Sequence, residues 1–541
     1  MLGPARTSAF VQDIARSMEK MMPELSRRTV LFGGVAVSVS EGILPGRVCA
    51  DDSARPSLPI PPEIRPNAGG IVALDARPGS VRFRPNRDTA TYGINGPYLG
   101  PAVRVRRGQK VVAQVSNSVP ENITMHWHGL ILPGAADGGP HQVILPGKQW
   151  QTELAIDQPA ATLWFHPHFY PSTAQLVVKG LAGLFIVDDD ESDRLPLPSR
   201  WGVDDIPLII QDRRFTADGQ FFDRMNIIAV TNGYVGDTAL VNGALYPTAR
   251  TARGWLRLRI LNGSNARSYN LSVSDARSLF VVASDGGLLE SPVELKQLLL
   301  HAGERFEVLV DGRDGRTFDL MTLPVPQDIM RLPPFDQPLP LVTISPAGAD
   351  GSGQLPSSLV ALPRLPAQLP PLSQQLVMSM FRDMEGMMPL ETAGLMSMAE
   401  SRRTDPAVVA RVVELIVNGP ALSQSDQLSA NGVNGKPFAL DRNDFAAARN
   451  QDLRWRISEG GDRMLHPVHV HGCQFRILSE AGKPPEAHRA GWKDIAPISA
   501  GSEAEILVRF PYPASKDHPY MAHCHILEHE DSGMMAQFGV A

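Results

Sequence analysis

Beyond a Pro-rich stretch from Pro56 to Pro66, apolar and polar residues alternate in short runs separated by Gly, Pro and Asn. Val103-Arg104-Val105-Arg106, the run from Trp255 to Ile260 and the run from Leu453 to Ile457 each place an apolar side chain at every second position. That is the period of a strand with one buried face. A second type of run recurs at Gly147 to Leu154, Gly303 to Val310 and Gly501 to Val508. Two run types in the same order three times predict an all-β chain built from a triplicated sandwich or barrel domain. Composition shifts at Asp188 to Trp201 and Ala347 to Pro371 mark the breaks, giving domains over residues 51–190, 203–347 and 372–541. The third carries an insertion at 378–398, read as helix or loop, that holds seven of the chain's 19 Met: Met378, Met380, Met384, Met387, Met388, Met396 and Met398.

The first 50 residues have a different character. Ser26-Arg27-Arg28-Thr29-Val30-Leu31-Phe32, an apolar segment from Val30 to Leu44 and a small-residue site at Val48-Cys49-Ala50 resemble a twin-arginine export signal. Residues 1–50 are therefore read as a signal peptide, and the expected location is the periplasm or the exterior. No apolar run reaches the roughly 18 residues of a membrane span, so no transmembrane anchor is expected. The 51 basic residues are scattered among 57 acidic ones, which argues against a nucleic-acid partner. Three Cys in 541 residues cannot form a disulfide framework.

The His residues are not scattered. Ten of the 14 lie in His126-Trp127-His128, His166-Pro167-His168, His466-Pro467-Val468-His469-Val470-His471, and His523-Cys524-His525 followed by His529. In a strand, residues i and i+2 share a face about 7 Å apart, so each His-x-His pair offers two imidazoles to one region. Four pairs supply eight. If His523 and His525 face that cluster, Cys524 faces the other way, and His466, an odd number of residues from His469, tends to the Cys524 side. His529 and Met534 follow closely enough to complete a second site. A Cys thiolate, two His and an axial Met are the ligand set of an electron-transfer copper centre. Two metal sites back to back, joined through the backbone of Cys524, suit one-electron entry coupled to O2 reduction. By the same parity Cys473 falls on the cluster side, where it is expected to be a buried free thiol; His141, His301, His488 and His518 are read as ordinary.

With these motifs the chain resembles the multicopper oxidase family, and most of all its bacterial cuprous oxidases. The resemblance rests on H-W-H-G at 126–129, H-P-H at 166–168, H-P-V-H-V-H-G at 466–472 and H-C-H-I-L-E-H-E-D-S-G-M-M at 523–535. It implies three cupredoxin-like Greek-key domains and four copper ions per chain. His466, Cys524, His529 and axial Met534 would hold the type 1 copper; His126 and His469 the type 2 copper; His128, His166, His168, His471, His523 and His525 the type 3 pair. Asp137 and Glu530 match acids that handle protons in such enzymes. A related copper-free group shares the architecture but lacks these ligands, all of which are present here.

The implied reaction couples one-electron oxidation of a substrate to reduction of O2 to water. Cu(I) is the favoured substrate because thioethers are soft ligands, and Met378, Asp383 and Asp441 look like the residues that hold it in cuprous oxidases. Arg442, beside Asp441, departs from that pattern. Phenols or aromatic amines are the alternative substrates, non-catalytic copper sequestration is the alternative function, and a monomer is expected.

Overall fold

Period-two alternation becomes six β-sheets, two in each third of the chain. The structure, a computed structural model, describes residues 55–381, 405–419 and 421–541; the expected signal segment, Asp383 and the Met384 to Met398 part of the insertion lie outside them. Each third contains the same motif of a parallel pair with an antiparallel third strand. In the first, Ile71–Arg84 runs parallel to Lys110–Asn117, which pairs antiparallel with Gln149–Ala155. In the second, Asp205–Arg213 lies beside Trp255–Asn262, which pairs with Arg305–Asp311. In the third, Leu372–Met380 lies beside Leu453–Glu459, which pairs with Glu503–Val508. The triplicated all-β architecture expected from the sequence is therefore present.

One member of the expected repeat is corrected. The counterpart of Trp255–Asn262 and Leu453–Glu459 in the first third is Lys110–Asn117; Val103–Arg106 belongs to the opposite sheet, between Glu63–Ile64 and Gly183–Asp188. Both runs alternate, but Val103–Arg106 is covered on both faces. Val103 and Val105 enter the core, while Arg104 pairs with Asp188 at 2.7 Å and Glu63 at 2.8 Å. Alternation identifies a strand, not its partner.

A second sheet packs on each of these motifs, and the inward positions form a separate core in each third. Val115, Leu163 and Phe185 belong to the first, Ile260, Leu271 and Phe306 to the second, Trp455, Phe475 and Phe538 to the third. Burying each such side chain contributes about 1.5–3 kcal/mol. The first two thirds meet through Trp164, Ile186, Ile209 and Leu261 and through a buried ionic group. Arg259 bonds Asp205 at 2.7 Å and Glu307 at 2.9 Å, and Glu307 accepts from the Thr162 hydroxyl at 2.6 Å.

The insertion begins as strand, since Met378 and Met380 fall at the end of strand Leu372–Met380. The helix Pro406–Asn418 follows the undescribed segment. Asp405 caps it, accepting from the Ala407 N–H at 3.0 Å, and Pro406 occupies the first helical position, where no N–H is required. Val408, Val412 and Ile416 form its buried stripe. Asn226, the cap of helix Ile227–Asn232, donates to the Ile416 carbonyl at 2.8 Å. Among the described residues, no helix is long and apolar enough to cross a membrane.

Candidate metal centres

Strand Tyr520–Cys524 lies between His466–Val470 and Met535–Val540 in the last sheet. Its register with the first of these sets the chemistry. His469 stands opposite His523, and Val468 opposite Cys524. Cross-strand partners share a face, so His469 and His523 face one side, and Cys524 faces the other together with His466, two residues from Val468. Pro467 does not break the strand: it pairs with Pro497, and its carbonyl accepts the His525 N–H at 2.6 Å.

On the Cys524 side, the Sγ lies 3.5 Å from His466 Nδ1 and 3.7 Å from His529 Nδ1. The other nitrogen of each ring is anchored. His466 Nε2 is 3.1 Å from both carboxylate oxygens of Asp462, and His529 Nε2 bonds the Thr231 carbonyl at 3.2 Å. Those acceptors favour a proton on Nε2 and leave both Nδ1 lone pairs aimed at the thiol. Burial opposes charge on Asp462, but the His466 imidazole outweighs it and holds the carboxyl well below its ordinary range. Met534 is fully buried, and its carbonyl accepts the Cys524 N–H at 3.1 Å.

On the other side the eight remaining imidazoles, all buried, converge from two domains. His128, His166 and His525 form one triad, and His168, His471 and His523 another, the ligand atoms of each lying within 4.8 Å of one another. His168 and His471 each bring Nε2 to 3.2 Å from His523 Nε2. His126 and His469 face one another, Nε2 to Nε2, at 3.4 Å. His126 comes from an isolated bridge with His166, in the position where the middle domain has the strand Tyr269–Val273. That strand carries no His, so the middle domain is a repeat without ligands.

The outward nitrogens are tied to oxygen. His126 Nδ1 bonds the Asp137 carbonyl at 2.9 Å, His469 Nδ1 the Asp494 carbonyl at 2.8 Å, and His471 Nδ1 the Asp137 carboxylate at 2.7 Å. His166 Nδ1 bonds the Pro167 carbonyl at 2.8 Å, and His523 Nδ1 the Cys524 carbonyl at 3.0 Å. His128 is reversed, with Nε2 at 3.0 Å from Asp494 Oδ1. Glu530 lies 3.3 Å from His168 Nδ1 and 3.2 Å from His523 Nδ1. Burial pushes its carboxyl up, but these two imidazoles outweigh that and hold it at about 2.

Asp137 ends the short turn Gly134–Ala136, and the next residue, Gly138, has φ +81°; a Cβ there would lie 1.7 Å from the Met125 carbonyl oxygen. Only glycine lets Asp137 approach both His126 and His471.

Orphaned atoms test whether metal fits. His128 Nδ1, His166 Nε2 and both nitrogens of His525 are buried without a hydrogen-bond partner, which is costly unless something else occupies their lone pairs. Burial first, then mutual repulsion among the rings, pushes His128, His166, His469 and His471 far below the ordinary imidazole range and His525 to about 3. They are neutral donors converging on shared points, and this donor set fits transition-metal ions.

Two of the three expected substrate-copper residues lie among the described residues. Met378 is fully buried within the third domain's core. Asp441 is exposed on a turn, and Arg442 beside it pairs with Asp444 at 2.7 Å. Asp383 is outside the described residues. The acid that does reach the Cys524 site is Asp462, missed in the sequence although it stands four residues before His466. Asp494, Arg305 and Thr231 were missed as well, and their contacts join residues too distant in the chain for any local signal. Cys473 is a buried free thiol whose Sγ lies 3.7 Å from the Val470 carbonyl.

Three two-sheet β-domains, with a thiolate site backed against an eight-imidazole cluster between the outer two, define a metal-binding class of β protein. Sequence profiles of the multicopper oxidase family match residues 75–192, 218–329 and 415–541. A multicopper oxidase of Staphylococcus aureus is 34% identical over 470 residues, covering 86% of this chain and 88% of the relative. A cell division protein FtsP of Xenorhabdus nematophila is 34% identical over 519 residues, covering 95% of this chain and 98% of the relative. Among solved structures, a laccase-like multicopper oxidase, CueO, from an Ochrobactrum species superposes with a TM-score of 0.75 at 38% identity, covering 90% of this chain and all of that one. The chain belongs to the multicopper oxidase family, and its three domains are cupredoxin-like. That membership implies copper binding, and the His and Cys clusters supply donor sets for it.

Proposed function

We propose that this protein is an oxidase that couples one-electron oxidation of Cu(I) to the four-electron, four-proton reduction of O2 to two waters. The observation that carries the reading is the position of Cys524. Its thiol belongs to one ligand set, while its neighbours His523 and His525 belong to the two triads of the other, and its carbonyl bonds the His523 ring. A pure copper store has no use for such a connection.

In this reading one copper is held by His466, Cys524, His529 and Met534, one by His126 and His469, and one by each three-His triad. Copper supplies the one-electron couples and the O2-binding site. Each of these sites is complete within one chain, and a monomer is part of the proposal. Asp137 and Glu530, buried against the cluster rings, relay protons to the cluster.

Substrate electrons enter at His466. Asp462 holds that ring and also accepts the backbone N–H groups of Met380 at 3.1 Å and Met464 at 3.0 Å. Through Met380 this carboxylate adjoins the start of the Met-rich segment, whose thioethers suit a soft cation. Asp462 therefore replaces Asp441 in the proposed substrate site. The Ochrobactrum relative is described as having oxidase activity towards lignin model compounds and lignosulfonate, which keeps phenols as the second reading. Export through the twin-arginine pathway is also part of the proposal, tested by cell fractionation of the Arg27→Lys, Arg28→Lys double variant.

The deciding experiment is O2 uptake by copper-loaded protein with Cu(I) and, separately, with a phenol. Rapid stoichiometric uptake with Cu(I) supports the oxidase. Tight copper binding without O2 consumption would replace it with sequestration.

A further inference from the structure

A cleft of about 710 Å³ is lined by all three domains and by the chain segment Val360–Pro366. None of the ten His or their anchoring acids lines it. That volume is typical of a small-molecule site. Its apolar walls include Ile131, Leu288, Leu362, Pro363 and the half-buried Trp492. The Val360–Pro366 segment is anchored beside it, the Leu359 N–H donating to the Glu290 carbonyl at 2.9 Å and the Val360 N–H to the Leu289 carbonyl at 3.3 Å.

Charge in the cleft is mostly spent. Arg509 pairs with Asp452 at 2.8 Å and Arg107 with Asp157 at 3.4 Å, and Asp189 accepts the Ser192 and Ala160 N–H groups at 2.7 and 2.9 Å. Glu191 and Arg364 are exposed, and Arg364 forms no ion pair among the described residues. Arg476 is half-buried. Its Nη1 donates to the Pro363 carbonyl at 3.3 Å, its Nε is buried without a partner, and it forms no ion pair among the described residues. Other half-buried or buried arginines, such as Arg104, Arg267 and Arg489, each rest on a carboxylate. Burial pushes the Arg476 guanidinium down, with only Glu290 acting against it, so a carboxylate brought to it gains a fork-shaped, charge-assisted contact. The guanidinium carbon lies 5.8 Å from the Trp492 ring, which places an aromatic face beside the free cation.

We propose that this cleft is a binding site for a small aromatic carboxylate, its carboxylate on Arg476 and its ring against Trp492 and the Leu288 and Leu362 side chains. Gln158 and Gln474, which also line the cleft, both donate to the Gly129 carbonyl, at 3.0 and 3.4 Å. Gly129 is the neighbour of His128, so the cleft adjoins the support of one cluster ring without being part of the cluster. The proposal is independent of the substrate assigned above.

Benzoate, which is not a phenol, is the probe, titrated calorimetrically into copper-loaded protein without turnover. Benzoate should bind at one site, with benzamide and acetate each at least about tenfold weaker. Arg476→Gln should weaken benzoate at least about tenfold and leave benzamide unchanged. Ala361→Trp, on the exposed segment, should block both by filling the cleft, and thermal melts verify that each variant is folded. Absence of benzoate binding, or benzoate binding that is indifferent to both substitutions, would overturn the proposal; acetate binding as tightly as benzoate would overturn its aromatic half.

Discussion

Arg305 and Asp494 form a two-pronged ion pair beside the imidazole cluster. Nη1 lies 2.7 Å from Oδ1 and Nη2 2.5 Å from Oδ2, with both side chains fully buried. Arg305 belongs to the domain that supplies no ligand, yet the oxygen it holds is the one bonded to His128, and the Asp494 carbonyl anchors His469. Its Nε also donates to the Thr162 carbonyl of the first domain at 3.2 Å. The middle domain thus positions rings from both of its neighbours. Removing one member of a buried pair leaves an uncompensated charge, which costs about 3–5 kcal/mol. Arg305→Gln should lower stability by that order in chemical denaturation and reduce copper retained after dialysis. Unchanged stability and copper content would show the pair to be dispensable.

Cys524→Ser should abolish the intense visible thiolate-to-copper absorption and lower bound copper by one equivalent, while the cluster keeps its own metal. O2 uptake should fall to background with Cu(I) and phenol alike. Turnover undiminished in this variant would refute the route through the Cys524 backbone.

Asp137→Asn and Glu530→Gln remove protonatable groups while preserving shape. Positioned proton-transfer groups contribute about 10²–10⁴-fold, so O2 reduction should slow at least about a hundredfold. Reduction of the Cys524-site colour by substrate under anaerobic conditions should proceed at the wild-type rate. Equal slowing of both half-reactions would place these acids in a structural role.

Asp462 and Asp441 separate the proposed substrate sites. Asp462→Asn should lower kcat/KM for Cu(I) by at least about tenfold, a loss of about 1.4 kcal/mol of transition-state stabilisation, whereas Asp441→Asn should have no effect. Deleting residues 384–398 should impair Cu(I) oxidation more than phenol oxidation. Intact Cu(I) oxidation in that deletion would remove the Met-rich segment from the path.

Acid should loosen the contact between the first two domains. Burial pushes the Glu307 carboxyl up, but Arg257 and Arg259 outweigh burial and hold it at about 2, against an ordinary 4.5. A depressed pKa contributes stability that is complete above about pH 4.5 and is lost as the pH falls towards 2, on the order of 3 kcal/mol in all. Melting temperature should drop between pH 5 and pH 3, and Glu307→Gln should melt lower at pH 7 with a smaller drop. An identical drop in both proteins would assign acid sensitivity elsewhere.

The parity of the His-x-His motifs was enough to divide the ligands into two faces, because strand geometry converts spacing into direction. Alternation also showed three β-domains, but it misplaced Val103–Arg106, whose polar positions are buried by ion pairs with Asp188 and Glu63. Asp441 was expected from a match in a region of loose spacing, while Asp462 was readable as an acid four residues before a ligand. Arg305 and Asp494, 189 residues apart, leave no mark on local pattern.

Each triad and the His126–His469 pair contain rings from both the first and the third domain. Metal affinity and domain docking are therefore a single linked equilibrium. Every ion bound at the cluster is also a clasp between two parts of the chain, and each copper added should raise the temperature at which those parts separate. A thermal melt thus becomes a measure of copper occupancy, and a chelator strong enough to empty the cluster will act as a denaturant of the interface before it acts on any domain.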